Sequence, residues 1–351
     1  MLTDNNARRT VFVGVDTHRD SHTAVIVDQL GSHLTTIEIP TDRAGYCRLI
    51  ETVKQAGNVE VFGIEGTGSY GKTLTSQLVD TGFKVVEINR PNRQHRRRHG
   101  KTDETDALSA ARAVASGSET TLAKETTGSV GIVRLLHNTR RTAMKWRTQT
   151  TNQFKALLDE SPDNLKHQLQ NQTILKAMRT AANYRPVDCL DSESQMLKQT
   201  LKSLAKRWQQ LTGEIKELDQ QLDQLINKHW PHLLATKGVG VDVAAKLVVT
   251  AGSNPERLKT AEQFKALCGV SPVNASSGKT QRHRLNQGGN RQANNALYTI
   301  AITRLAHDPE TQQYATKQKQ KGKTNKEIIR QLKTYIARQT WKQLTQNQPK
   351  T

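Results

Sequence analysis

The first ninety or so residues alternate short apolar, β-branched runs with amphipathic stretches. The runs VFVGVD from Val11, HTAVIVD from His22 and HLTTIEI from His33 predict strands, with QLGS a hairpin turn between the last two. A helical pattern follows from about Asp42 to Ala56. Then VEVFGIE from Val59 reads as a buried strand, SYGKTLTSQLVDTG as a helix closed by Gly82, and FKVVEI from Phe83 as a further strand. The order β-β-β-α-β-α-β predicts an α/β domain with a mixed sheet.

Past Asp106 strand signals nearly vanish. A helix is expected to start near Thr102, and helical segments carrying Lys and Arg run from about Val130 to Leu158 and from Asp163 to Asn183, before a linker with Pro186. Leu197, Leu201, Leu204, Trp208, Leu211, Ile215, Leu218, Leu222 and Leu225 then alternate spacings of four and three, a heptad seam. Its 29 positions predict a rod of about 43 Å. A stripe that narrow needs a covering helix, from the same chain or from a second subunit, and the second subunit is the expectation. Pro231 ends the rod. LLATKGVGVDVAAKLVVTAG then sets Gly238 and Gly240 in a tight turn between helical halves, either a plain αα-turn or a helix-hairpin-helix-like element whose amides, with Lys237, meet a nucleic-acid phosphate. A Gly/Ser-rich loop, SPVNASSGKTQRHRLNQGGN from Ser271, and further helices complete the chain. The expected layout is an α/β domain over 1–118, a helical extension over 119–185, a coiled coil over 186–230 and a helical C-terminal domain over 231–351.

Composition narrows the function. The 351 residues carry 52 Lys and Arg against 32 acids, a formal net charge of +20. That implies a polyanionic partner, nucleic acid rather than a membrane. Mean hydropathy is −0.69, low for one compact globule. No apolar run reaches 18 residues and no secretory leader is evident, so a cytoplasmic, nucleoid-associated prokaryotic protein is expected. Cys47, Cys189 and Cys268 form neither a disulfide framework nor a zinc spacing and are read as structural.

Four acids stand out. Asp16 ends the first predicted strand and Glu65 the fourth, where apolar runs give way to turn-prone sequence, and strand ends of open α/β sheets are where sites are built. Asp103 and Asp106 lie three apart, on one face of a helix start. Singly, each has a plain reading as a cap, a first-turn acid or a surface acid. Jointly, converging carboxylates call for a cation, and oxygen ligands suit two Mg²⁺ or Mn²⁺ ions acting on a phosphodiester. Directly before the pair, Arg90, Arg93, Arg96, Arg97, Arg98 and Lys101 form a basic strip without an acid, suited to guiding a phosphate backbone. Arg140, Arg141, Lys145 and Arg147, and the lysines from Lys317 to Lys326, are read the same way. Aromatics are only 4% of residues, so no stacking platform for single strands is evident.

The motifs GVDTHRD, EGTGSY and RPNRQHRRRHGKTDETDA, followed by KGVGVDVAAKLVVTAG, FKALCGVSPVNASSGK and GGNRQANNALY, resemble the DEDD transposases of the insertion-sequence one-hundred-and-ten family along nearly the whole chain. The resemblance implies a RuvC-like catalytic domain of the ribonuclease H superfamily, with Asp16, Glu65, Asp103 and Asp106 as metal-binding and catalytic acids. It also implies a catalytic serine at Ser277, which the residues alone do not separate from Ser276, with Lys279 among the nucleic-acid contacts. His283 is the histidine in reach as a base, and activation by the metal is the better expectation. Arg19 stands where the family often has Lys. Further implications are donor and target double-stranded DNA and a structured guide RNA. From the heptad seam a dimer or tetramer joined through the coiled coil is expected, and because the serine lies far from the acids in sequence, a site drawing acids from one chain and Ser277 from another is expected. The competing reading is a structure-specific nuclease of the junction-resolvase type, which uses water and needs no serine.

Overall fold

The computed structural model describes residues 9–88, 102–118, 121–185, 192–274, 283–284, 286 and 288–346. The chain divides into two compact units, Met1–Thr126 with Gly252–Lys259, and Thr127–Ala251 with Thr260–Thr351.

The first unit is built on a five-stranded sheet in the order β3-β2-β1-β4-β5. Its strands are β1 (Thr10–Thr17), β2 (Ser21–Val27), β3 (His33–Pro40), β4 (Asn58–Glu65) and β5 (Val85–Ile88). The β1–β2 and β2–β3 pairs are antiparallel, whereas β1–β4 and β4–β5 are parallel, as the mixed-sheet expectation required. The β2–β3 turn is closed by Asp28, whose carboxylate accepts from the amides of Leu30 and Ser32, and Gly31 supplies the left-handed residue at φ 77°.

Helices α1 (Arg43–Ala56) and α2 (Lys72–Asp80) cover one face, burying Val13, Val15, Ile26, Phe62 and Ile64 against Leu49, Leu74 and Leu78. Helix α3 (Asp103–Ala115) covers the other. There Val25 and Val27 meet Ala107 and Ala111, and Val61 meets Ala110 and Val114. The run of alanines lets the helix lie close, and at Gly14 the approach is backbone to backbone. A β-carbon at that position would overlap the Ala107 carbonyl oxygen and the Ala111 amide nitrogen.

The segment 252–259 contributes Asn254 to this unit. Its side-chain amide donates to the Ala123 carbonyl at 2.9 Å, and its side-chain oxygen accepts from the Glu125 amide at 3.0 Å. Ala123 in turn bonds Val85 of β5. The sequence had assigned this stretch to the C-terminal domain.

The second unit is helical: α4 (Gly128–Asp159), α5 (Asp163–Leu169), α6 (Ile174–Ala182), α7 (Glu193–His229), α8 (Pro231–Leu234), α9 (Val241–Ala251), α10 (Ala261–Leu267), α11 (Arg291–His307), α12 (Pro309–Gln320) and α13 (Asn325–Gln346). A two-stranded ribbon, β6 (Val273–Asn274) with β7 (His283–Arg284), is the exception. The rod predicted from the heptads is α7, but its covering helix belongs to the same chain. Leu201, Leu204 and Trp208 pack on Phe154 and Leu158 of α4 and on Met178 and Ala181 of α6, while Leu211 and Ile215 close over Ala143. Trp208 also donates its indole N–H to Thr151 Oγ1 at 3.0 Å. The expected second-subunit seam is therefore corrected. The period is intramolecular, because α4 carries a complementary stripe of Val133, His137, Ala143, Thr150, Phe154 and Leu158.

One polar knot ties this unit together. Asp242, in the first turn of α9, accepts from Lys246 Nζ at 2.7 Å and Arg140 Nη1 at 3.1 Å, and pairs with His137 Nε2 at 3.2 Å. Arg140 also bonds Asp219 of α7. These contacts hold the Asp242 carboxyl well below its ordinary range, the His137 hydrogen bond first and Lys246 next, against an opposing effect of burial.

Gly14→Ala should lower stability by about 3 kcal/mol or more, since no rotamer relieves an overlap with backbone; denaturant unfolding monitors it. Asp242→Asn should lower stability at pH 7 by about 2–3 kcal/mol. A depressed carboxylate pKa stabilises above the unfolded value and loses that contribution as pH falls through the folded one, so the gap between native protein and variant should narrow below about pH 4. Parallel unfolding curves from pH 7 to pH 3 test this.

Candidate metal centre

Strands β1 and β4 are adjacent and parallel, so their C-terminal ends share one edge of the sheet. The register pairs Val15 with Ile64, and the next position on each strand is Asp16 and Glu65. Alternation puts Gly14 and Asp16 on the α3 face of the sheet. Val61 packs on α3, and so the same period puts Glu65 on that face. Thr17, turned the other way, donates from Oγ1 to the Glu65 carbonyl at 2.7 Å and ties the two strand ends together.

The N-terminus of α3 brings the remaining acids. Thr102 caps the helix, accepting from the Thr105 amide at 3.2 Å, while Thr105 Oγ1 accepts from the Thr102 amide at 3.1 Å. Asp103, Glu104 and Asp106 all fall in the first turn, where unpaired amides and the helix dipole favour negative charge. Glu104 is directed to β3, accepting from Thr36 Oγ1 at 2.9 Å. Asp103 Oδ1 lies 3.1 Å from His18 Nε2, and the same nitrogen lies 3.1 Å from Asp16 Oδ2. Among the described residues, Asp16, His18 and Asp103 are the group whose ligand atoms all lie within 4.8 Å of one another.

Asp106 is buried one turn further along α3, and Glu65 is half-buried at the end of β4; neither belongs to that trio. Burial pushes the Asp16 carboxyl above its ordinary value. His18 pulls it back, and the charges of Asp106 and Asp103 add to the upward push. A buried carboxyl raised by desolvation and by like charges is a donor that a cation relieves, and the residues present fit a hard divalent ion. His18 was not selected from the sequence. Its signal was positional, two residues beyond Asp16 at a strand end, where period two keeps both on one side.

The other expected contacts fall into three groups. Arg90, Arg93, Arg96, Arg97, Arg98 and Lys101, together with Ser276, Ser277 and Lys279, lie outside the described residues. On α4, Arg141 and Lys145 are exposed, whereas Arg140 is paired with Asp219 and Asp242 and Arg147 stands over the Trp208 ring. In the turn between α8 and α9, Lys237 Nζ bonds Asp308 at 2.8 Å with most of its side chain in solvent. Gly238 there is left-handed at φ 82°, and Gly240 has open space around its Cα. No helix among the described residues is long and apolar enough to cross a membrane.

Residues 13–161, which hold the sheet and α3, match a family model for DEDD transposases of the IS110 type, described as Transposase. Residues 231–316 match one described as Transposase IS116/IS110/IS902 family. A 43.6 kDa protein of insertion element IS110 from Streptomyces coelicolor is 23% identical across 92% of this chain and 91% of its own length. The pilin gene-inverting protein of Moraxella bovis is 29% identical across 39% of this chain and 45% of its own length. With both family models matched in order and a relative aligned nearly end to end, the chain belongs to the IS110 family of transposases.

Proposed function

We propose that this protein is a DNA recombinase that cuts and rejoins strands through a serine nucleophile, with Asp16, Glu65, Asp103 and Asp106 holding divalent metal. The observation that carries the reading is the approach of Asp103 to Asp16 across the end of the sheet, bridged by His18. The relative named as a pilin gene-inverting protein supports recombination rather than simple hydrolysis.

Bound metal would supply a Lewis acid for the phosphodiester oxygens and would favour the ionised serine. The acids' own part would be to bring negative charge to the end of the sheet, with the cap and dipole of α3 easing the charge of Asp103 and Asp106. Ser277 would form a bond from Oγ to phosphorus as the bond from phosphorus to a sugar oxygen breaks. The serine proton leaves and the sugar oxygen gains one. The resulting phosphoserine keeps the energy of the phosphodiester, so the reverse attack by a sugar hydroxyl rejoins a strand without a further energy source.

The formal charge of +20 supports donor and target duplexes as partners, and leaves room for a structured RNA that would choose the sites by base pairing. Two duplexes call for a dimer or tetramer. Since the stripe of α7 is already covered by α4 and α6, assembly would use other faces of the protein.

Asp16→Asn should lower metal-dependent strand cleavage at least about 100-fold, measured on supercoiled DNA carrying the element's ends. Native protein should form a protein–DNA adduct that survives denaturation and is lost in Ser277→Ala. Cleavage without such an adduct would instead favour water as the nucleophile, as in a resolvase. Sequencing RNA co-purified with the protein should return a foldable transcript of the element's flank.

A further inference from the structure

The trio at the sheet end contains a donor that an all-carboxylate site lacks, the imidazole of His18. Resting on the reading of the acids as metal ligands, we propose that His18 Nε2 is itself a ligand, making a mixed nitrogen–oxygen centre that takes Mn²⁺ in preference to Mg²⁺.

The spacing is the first support. His18 Nε2 stands 3.1 Å from Asp16 Oδ2 and 3.1 Å from Asp103 Oδ1. Adjacent ligands of an octahedral ion at about 2.1 Å lie about 3.0 Å apart, because the octahedron's edge is the ligand distance multiplied by the square root of two. Both nitrogen–oxygen separations match that edge.

Hydrogen bonding accounts for one of the two contacts and not for the other. One ring nitrogen carries at most one hydrogen, which lies in the ring plane along a single direction. The hydrogen bond to Asp16 Oδ2 is formed, so that same hydrogen does not also serve Asp103 Oδ1, which stands equally close to the nitrogen. A cation between the three atoms satisfies all of them at once.

The donors also come from different elements. Asp16 and His18 belong to the end of β1 and its continuation, and Asp103 to α3. Such a set occupies one side of an ion and leaves the other for water or phosphate. The His18 side chain is 44% exposed and that of Asp103 53%, so an ion can enter without opening the core.

The choice of metal follows from the donor. Mg²⁺ is hard and gives up water reluctantly, whereas imidazole binds progressively better along the transition series that begins at Mn²⁺.

Pulsed electron paramagnetic resonance of Mn²⁺ bound to the full-length protein, without DNA, tests the assignment. Native protein should show the nitrogen coupling of a directly bound imidazole, and His18→Ala should lose it while still binding Mn²⁺. Competition titration should show the Mn²⁺ over Mg²⁺ preference falling at least about tenfold in the variant. Bound Mn²⁺ without nitrogen coupling, or coupling that survives His18→Ala, overturns His18 as the ligand and leaves the carboxylate site standing. Absence of Mn²⁺ binding, or binding equally strong in Asp16→Asn, overturns the carboxylate site itself.

Discussion

A helix lies directly on a strand at Gly14, and the geometry of the candidate metal centre depends on it. With hydrogen in place of a side chain, the backbone of α3 comes down onto β1 at Ala107 and Ala111. Asp103 is one turn earlier on the helix and Asp16 two residues later on the strand, so that contact sets their separation. Gly63 plays a similar part on β4, where a β-carbon would press on Val114 and Ile88. A site held by packed backbone needs little reorganisation when its ligands are engaged, and packed backbone fixes position better than long side chains do.

The two units treat their carboxylates in opposite ways. In the helical unit, Asp242 is surrounded by His137, Arg140 and Lys246, and its charge is satisfied inside the fold. At the sheet end, Asp16 is buried beside further acids, and among the described residues His18 offsets them. The first arrangement clamps helices together. The second sets a buried carboxyl beside like charges, the surroundings in which a bound cation would be favoured.

Much of this was legible in the sequence, for identifiable reasons. Strands and helices of the first unit follow from period-two and period-3.6 runs, and Asp16 and Glu65 were visible because an apolar run stopped at each. The partner of the α7 stripe was not visible. A heptad shows that a helix needs a neighbour, but the choice between α4 and a second copy depends on complementary shapes such as Ala143 beneath Leu211 and Ile215. His18 was passed over because a histidine in a short polar stretch has no pattern of its own; only the arrival of Asp103 from a distant helix gives it a role. Arg140 shows the converse: a basic residue in a basic run, which reads as a phosphate contact until Asp219 and Asp242 are seen around it.

Asn254 has a consequence for how the polypeptide is made. The first unit closes with a segment that lies more than 120 positions after the strip along β5 to which Asn254 bonds, at Ala123 and Glu125. During synthesis its sheet and three helices emerge early, yet this amide clasp is missing until residue 259 has left the ribosome. A fragment cut at residue 126 would carry the acids but leave the Ala123 carbonyl and the Glu125 amide without the side chain that holds them. The first unit is thus discontinuous along the gene, and gene fragments meant to isolate it have to include both pieces.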